Sequence, residues 1–169
     1  KAYNTPADLK GAVIRTPGAD PYVESISAMG ATPYNIAWSE VYNGIQTKSI
    51  DGCEVQYTSA VSSKIYEVCE YVSKTEHMFN MVICGQAWFD KLPAEYQEVM
   101  KKDFNDCAYN NAQDIIAAQD DMEKPLTDNG MTIVEVDKDI FREAVKPAYE
   151  KLGWTELREQ LYKEAGVEA

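Results

Sequence analysis

The sequence predicts an α/β fold in which a mixed sheet is flanked by helices. Three observations carry that expectation. Short β-prone runs alternate with amphipathic helical stretches along the 169 residues. The run Ala12-Val13-Ile14 is apolar at every position, as in a strand covered on both faces. A helical stripe that begins after Pro93 predicts one long helix near 93–124.

The opening stretch "NTPADLKGAVIRTPGADP" reads as loop, short helix, glycine turn and strand, with Arg15, Thr16 and Pro17 ending the apolar run. Asp20 as cap and Pro21 in the first turn start a helix that ends near Gly30. "GATPYNIAW" is extended. Ser39 is the expected N-cap of the next helix, with Glu40 in its first turn and Val41 and Ile45 on one face. Asp51-Gly52 makes a turn into the β-prone "CEVQYT". Ser59 to Val68 reads as helix, and Tyr71–Ser73 and Met78–Ile83 as strands.

In the long stripe, Tyr96, Met100, Phe104, Cys107, Ile115, Ala118 and Met122 recur at helical spacing as far as Pro125. About 30 residues at ~1.5 Å each give a rod of roughly 45 Å, so the helix crosses more than one unit or bends. "MTIVEV" is a further strand after the Asn129-Gly130 turn. The helix after Asp137 carries Phe141, Val145, Tyr149 and Leu152, and Pro147 is expected to kink or split it. In such folds ligands bind outside the carboxyl ends of the strands, and Arg15 directly follows an apolar one.

An apolar fraction of 45% belongs to a folded chain, long enough for one domain or one lobe of something larger. The formal charge of −12, without a basic stripe, argues against nucleic acid and against anionic membrane surfaces. An anionic ligand would need individually placed cations, and the arginines are Arg15, Arg142 and Arg158. No apolar run approaches the roughly 20 residues of a membrane span. The chain starts at Lys1 rather than Met, from which we expect an upstream segment to have been removed. Cys53, Cys69, Cys84 and Cys107 lack metal-ligand spacing, and His77 is the single histidine. Neither a metal nor another cofactor is expected, and core thiols are favoured over disulfides.

Four stretches in register carry a resemblance: "PADLKGAVIRTP", "GATPYNIAWSEVYNGIQTKSIDGCE", "SSKIYEVCEYVSKTEH" and "FDKLP". Together they resemble the solute receptors of tripartite ATP-independent periplasmic (TRAP) transporters, from Pro6 to about Tyr149. The resemblance implies one lobe of a two-lobed periplasmic-binding-protein fold, closing on a small organic acid. It implies delivery of that acid to the TRAP membrane permease subunits. It also implies a periplasmic or extracytoplasmic location, lipid-anchored if the source is Gram-positive. On this reading residues 1–169 are the second, C-terminal lobe, the first lobe is absent from the chain, and its uncovered face would let the isolated lobe self-associate.

The resemblance also assigns ligand-binding residues. Arg15 in "VIRTP" matches the arginine that grips the ligand carboxylate, for which a planar, permanently charged fork is suited. Trp38 matches an aromatic that packs against the ligand, though a tryptophan before a helix also fits a core. Val55 stands where sugar-acid receptors carry asparagine and metal-bridged keto-acid receptors carry tryptophan, which points to a less polar contact. Glu54 either lines the cleft or is satisfied structurally. His77 and Asn80 fall where sialic-acid receptors have a histidine and an asparagine near the site. Two alternatives to a receptor stay open: a ligand-sensing domain of a regulator, and a small enzyme using Cys53 or Glu54. No phosphate-binding loop, dinucleotide fingerprint or zinc-protease motif supports the enzyme.

Overall fold

The computed structural model describes residues 1–75 and 82–166, without the side chains of 119 and 120. Along the chain run β1 (Val13–Arg15), α1 (Asp20–Ala28), β2 (Thr32–Tyr34), α2 (Trp38–Gln46), β3 (Gly52–Cys53), α3 (Tyr57–Ser62) and β4 (Tyr71–Ser73). There follow α4 (Gln86–Phe89), α5 (Ala94–Ala117), α6 (Gln119–Asp128), β5 (Thr132–Val134), α7 (Lys138–Lys151) and α8 (Thr155–Ala165). The chain divides into two compact units, Lys1–Glu76 with Pro125–Ala169, and His77–Lys124.

The first unit holds a three-stranded sheet in the order β2-β1-β3 and a two-stranded ladder β4-β5. Every described ladder is parallel, where a mixed sheet was expected. Parallel neighbours need a crossover, and α1 and α2 supply it between the first three strands. The central β1 is covered on both faces, as its unbroken apolar run implies. Ile14 joins a cluster of Leu9, Ala12, Ile26, Ala31 and Phe141. Val13 packs against a second cluster built from Val41, Ile45, Ile50, Ala60, Ile65, Leu126 and Met131. Burying each Leu, Ile or Val contributes about 1.5–3 kcal/mol, so these clusters dominate the unit's cohesion.

Element ends depart from the sequence expectations in places with identifiable causes. Ala37, not Ser39, caps α2, because the Glu40 carboxylate accepts the Ala37 N–H at 3.2 Å and fixes the helix start there. Likewise Ala19 rather than Asp20 precedes α1, with Pro21 in its first turn. The β-prone "CEVQYT" yields only the end of β3, and Tyr57 already belongs to α3. The helix expected over Ser59–Val68 is interrupted at Lys64, whose φ of +53° reverses the chain before a 3₁₀ turn at Ile65–Glu67. Pro147 neither splits nor ends α7, where Phe141 and Ala148 are buried and packing outweighs the missing hydrogen bond.

The long stripe forms two helices rather than one ending at Pro125. The break falls at Ala118 (φ −96°, ψ 7°), and Pro125 lies inside α6. Of the expected strand Met78–Ile83, residues 78–81 lie outside the described residues, and Val82 and Ile83 are irregular and exposed. The described residues of the second unit form α4, the 24-residue α5 and the first part of α6. None of the α5 residues is buried, and Tyr96, Val99, Phe104, Tyr109, Ile115 and Ile116 are exposed.

Candidate functional site

Because β1, β2 and β3 run parallel, their carboxyl ends share one edge of the sheet. In register there, Arg15 lies between Tyr34 and Cys53. The pairing continues past the strand ends: the Thr16 N–H donates to the Tyr34 carbonyl at 3.1 Å, and the Glu54 N–H to the Arg15 carbonyl at 3.3 Å. At the opposite end, Asp51 closes the β1–β3 ladder from both sides. Its N–H donates to the Val13 carbonyl and its carboxylate accepts the Val13 N–H, each at 2.8 Å. Asp51 is therefore turn chemistry, as the Asp-Gly pair suggests.

The half-buried Arg15 side chain is held in two ways. Its Nε–H donates to the Ile36 carbonyl at 3.2 Å. Its guanidinium carbon lies 5.4 Å from the centroid of the Trp38 ring, within reach of a cation–π attraction. Among the described residues the ion pairs belong to other side chains, and Arg15 joins none of them. Its Nη groups thus form a fork able to meet two oxygens of one anion.

The other expected residues fall into three groups. Trp38 is the first residue of α2, half-buried against the second core cluster, and its Nε1–H donates to Ser63 Oγ at 3.1 Å. Glu54 and Val55 follow β3 at the same sheet edge. Val55 packs on the core, and a Glu54 carboxylate oxygen lies 3.5 Å from Thr16 Oγ1. His77 and Asn80 lie outside the described residues.

Three contributors escape sequence reading: Thr16, Ile36 and Ser63. Thr16 is fully buried, and Pro17 restricts it to extended backbone, which keeps it in line with β1. Ile36 acts through its carbonyl and Ser63 through a contact made across 25 positions of sequence, so neither leaves a local signal.

Cys53 sits beside Arg15 in register, yet burial pushes its thiol up to about 12, the neighbouring Cys69 adds to this, and Arg15 offsets only part. The thiol is therefore protonated near neutral pH and unsuited to nucleophilic attack. All four cysteines are free. Among the described residues no cluster of His, Cys, Asp and Glu could hold a metal ion, and no helix is long and apolar enough to cross a membrane.

Residues 1–154 match the family described as bacterial extracellular solute-binding protein, family 7. The chain is 32% identical over 146 residues to the 2,3-diketo-L-gulonate-binding periplasmic protein YiaO of Escherichia coli (strain K12), covering 85% of this chain and 44% of that protein. The crystal structure of a TRAP periplasmic solute binding protein from Escherichia fergusonii, in an apo open form, matches with a TM-score of 0.84 at 33% identity, over 96% of this chain and 56% of that one. A TRAP periplasmic solute binding protein from Fusobacterium nucleatum with bound sn-glycerol 3-phosphate matches with a TM-score of 0.76 at 32% identity, over 89% of this chain and 50% of that one. The chain spans about half the length of the curated relatives it matches.

Proposed function

Given that the chain belongs to the bacterial extracellular solute-binding proteins of family 7, a family of binders rather than enzymes, we propose that it is the second lobe of a TRAP receptor. In this reading Arg15 captures a small organic acid by its anionic group. The whole receptor works outside the cytoplasm and hands its ligand to a membrane permease. The ligands of similar proteins, a diketogulonate in one relative and a glycerol phosphate in another, share an anionic group, which supports the acid as the recognised feature. Glu54 and Val55 line the same edge, where Val55 supplies an apolar contact in place of a polar one.

One observation carries the proposal. Arg15 sits at the carboxyl edge of a parallel sheet, fixed through Nε and one face, and outside every ion pair among the described residues. A tethered cation whose remaining donors meet no described carboxylate is suited to a ligand rather than to structural pairing. The sensing-domain alternative would share this site, but no feature among the described residues of the first unit favours it.

The test compares acids with their neutral counterparts. Titration calorimetry and amide NMR with D-glucuronate against D-glucose, and with sn-glycerol 3-phosphate against glycerol, should give saturable binding of the acids alone. Equal responses to acid and neutral partner would remove the anion from the recognition.

A further inference from the structure

Trp38 is bound on two sides. Its indole N–H reaches Ser63 Oγ at 3.1 Å, and its ring faces the Arg15 guanidinium with 5.4 Å between ring centroid and guanidinium carbon. Ser63 is the C-cap of α3. It is followed at once by Lys64 in the left-handed region (φ +53°), where a non-glycine residue is strained, so the reversal that presents Ser63 to the ring is a built feature. A half-buried tryptophan needs a partner for its N–H, and Ser63 supplies it.

The consequences for Arg15 follow from guanidinium geometry. The group is planar, with five N–H donors. The Ile36 carbonyl holds Nε at 3.2 Å in that plane, and the Trp38 ring limits rotation of the plane from one face. The two restraints, a hydrogen bond at Nε and an aromatic ring over the guanidinium carbon, narrow the orientations open to the Nη1/Nη2 fork. We propose that Trp38, oriented by Ser63, is a positioning residue that pre-sets this fork, so an anion meets it end-on through Nη1 and Nη2 rather than side-on through Nε. This inference rests on Arg15 being the anion contact.

The experiment is a double-mutant cycle with NMR detection, using D-glucuronate and sn-glycerol 3-phosphate as probes. Ser63→Ala removes the indole acceptor, and Ser63→Thr keeps a hydroxyl. Arg15→Lys keeps the charge but replaces the plane with an ammonium that has no face to orient. Ser63→Ala should weaken binding by about two- to fivefold, the size of an exposed cation–π contribution. Ser63→Thr should restore the wild-type affinity, and in the Arg15→Lys background Ser63→Ala should change nothing.

Without any probe, the Arg15 Nε–H and Trp38 indole signals should shift and exchange faster with water in Ser63→Ala, while those of Trp88 and Trp154 stay in place. An equal loss from Ser63→Ala in both backgrounds would assign Ser63 a merely structural role and overturn the proposal. So would unchanged Arg15 and Trp38 signals in Ser63→Ala. Failure of the parent reading looks different: Arg15→Lys binds both probes as tightly as wild type, or no probe saturates, while the probe-free signals still decide the positioning.

Discussion

The Arg15 guanidinium carbon lies over the Trp38 ring, 5.4 Å from its centroid, joining the end of β1 to the first residue of α2. The contact sets the cation by two elements of different kinds: a strand that fixes its backbone and a helix that limits its side chain. Everything at the sheet edge depends on those elements keeping their register.

Asp51 is the register device at the far end of β1. Its carboxylate accepts the Val13 N–H at 2.8 Å while its own N–H returns the bond. Asp51→Ala should cost about 1.5–3 kcal/mol, the range for a hydrogen bond to a charged group, and Asp51→Asn clearly less. Urea denaturation reads this directly; a midpoint unchanged in Asp51→Ala would mean the turn holds without the carboxylate.

Leu126 is fully buried in the same cluster as Val41 and Ile65, although it follows the second unit in sequence. Leu126→Ala should destabilise by about 2–5 kcal/mol, as large-to-small changes at packed sites do. The loss should appear in one cooperative transition. A loss confined to local fraying of α6 would show that residues after 125 do not belong to the first unit's core.

Much of this fold is legible in the sequence because local and global signals agree. Ala12-Val13-Ile14 reads as a doubly covered strand, and β1 has a core cluster on each face. Tyr71–Ser73 and the strand after Gly130 emerge as read, and pair with each other. What sequence could not supply is set by long-range contacts. Parallel direction depends on which strands become neighbours, and the break at Ala118 occurs where no proline or glycine marks it. At the site, Arg15 and Trp38 are singled out by the family resemblance and the structure brings them into contact, whereas Ser63 and the Ile36 carbonyl become partners only once the chain has folded. Glu40 illustrates the same limit at short range: its reach back to Ala37 moves the cap away from Ser39, the better capping residue by type.

The thiols should divide by environment. Burial pushes Cys53 from the ordinary 9.0 up to about 12, so the folded state holds its proton more tightly than the unfolded state. That contribution to stability is fully present below about pH 9 and is lost as pH rises toward 12. Stability should therefore fall more steeply over that window in wild type than in Cys53→Ala. At pH 8 an aromatic disulfide reagent should modify the exposed Cys84 and Cys107 quickly and the partly buried Cys53 much more slowly. Rapid labelling of Cys53 in the native state would contradict the burial argument.

The apolar side chains along α5 set an association test. Phe104, Ile115 and Ile116 are all exposed on a helix with no buried residue. Such a surface tends to find a partner, and in the isolated chain the partner at hand is a second copy. Sedimentation should show the weight-average mass rising with concentration, and Phe104→Glu with Ile116→Glu should hold the chain monomeric. A wild-type monomer at high concentration would count against it.

The most direct measurement for the central claim is the affinity of D-glucuronate and sn-glycerol 3-phosphate for wild type and Arg15→Ala under identical salt. Loss of a charge-assisted fork should weaken binding by about tenfold or more while the thermal midpoint without ligand stays close to wild type. Equal affinities in the two proteins would show that the cation at the end of β1 is not what holds the acid.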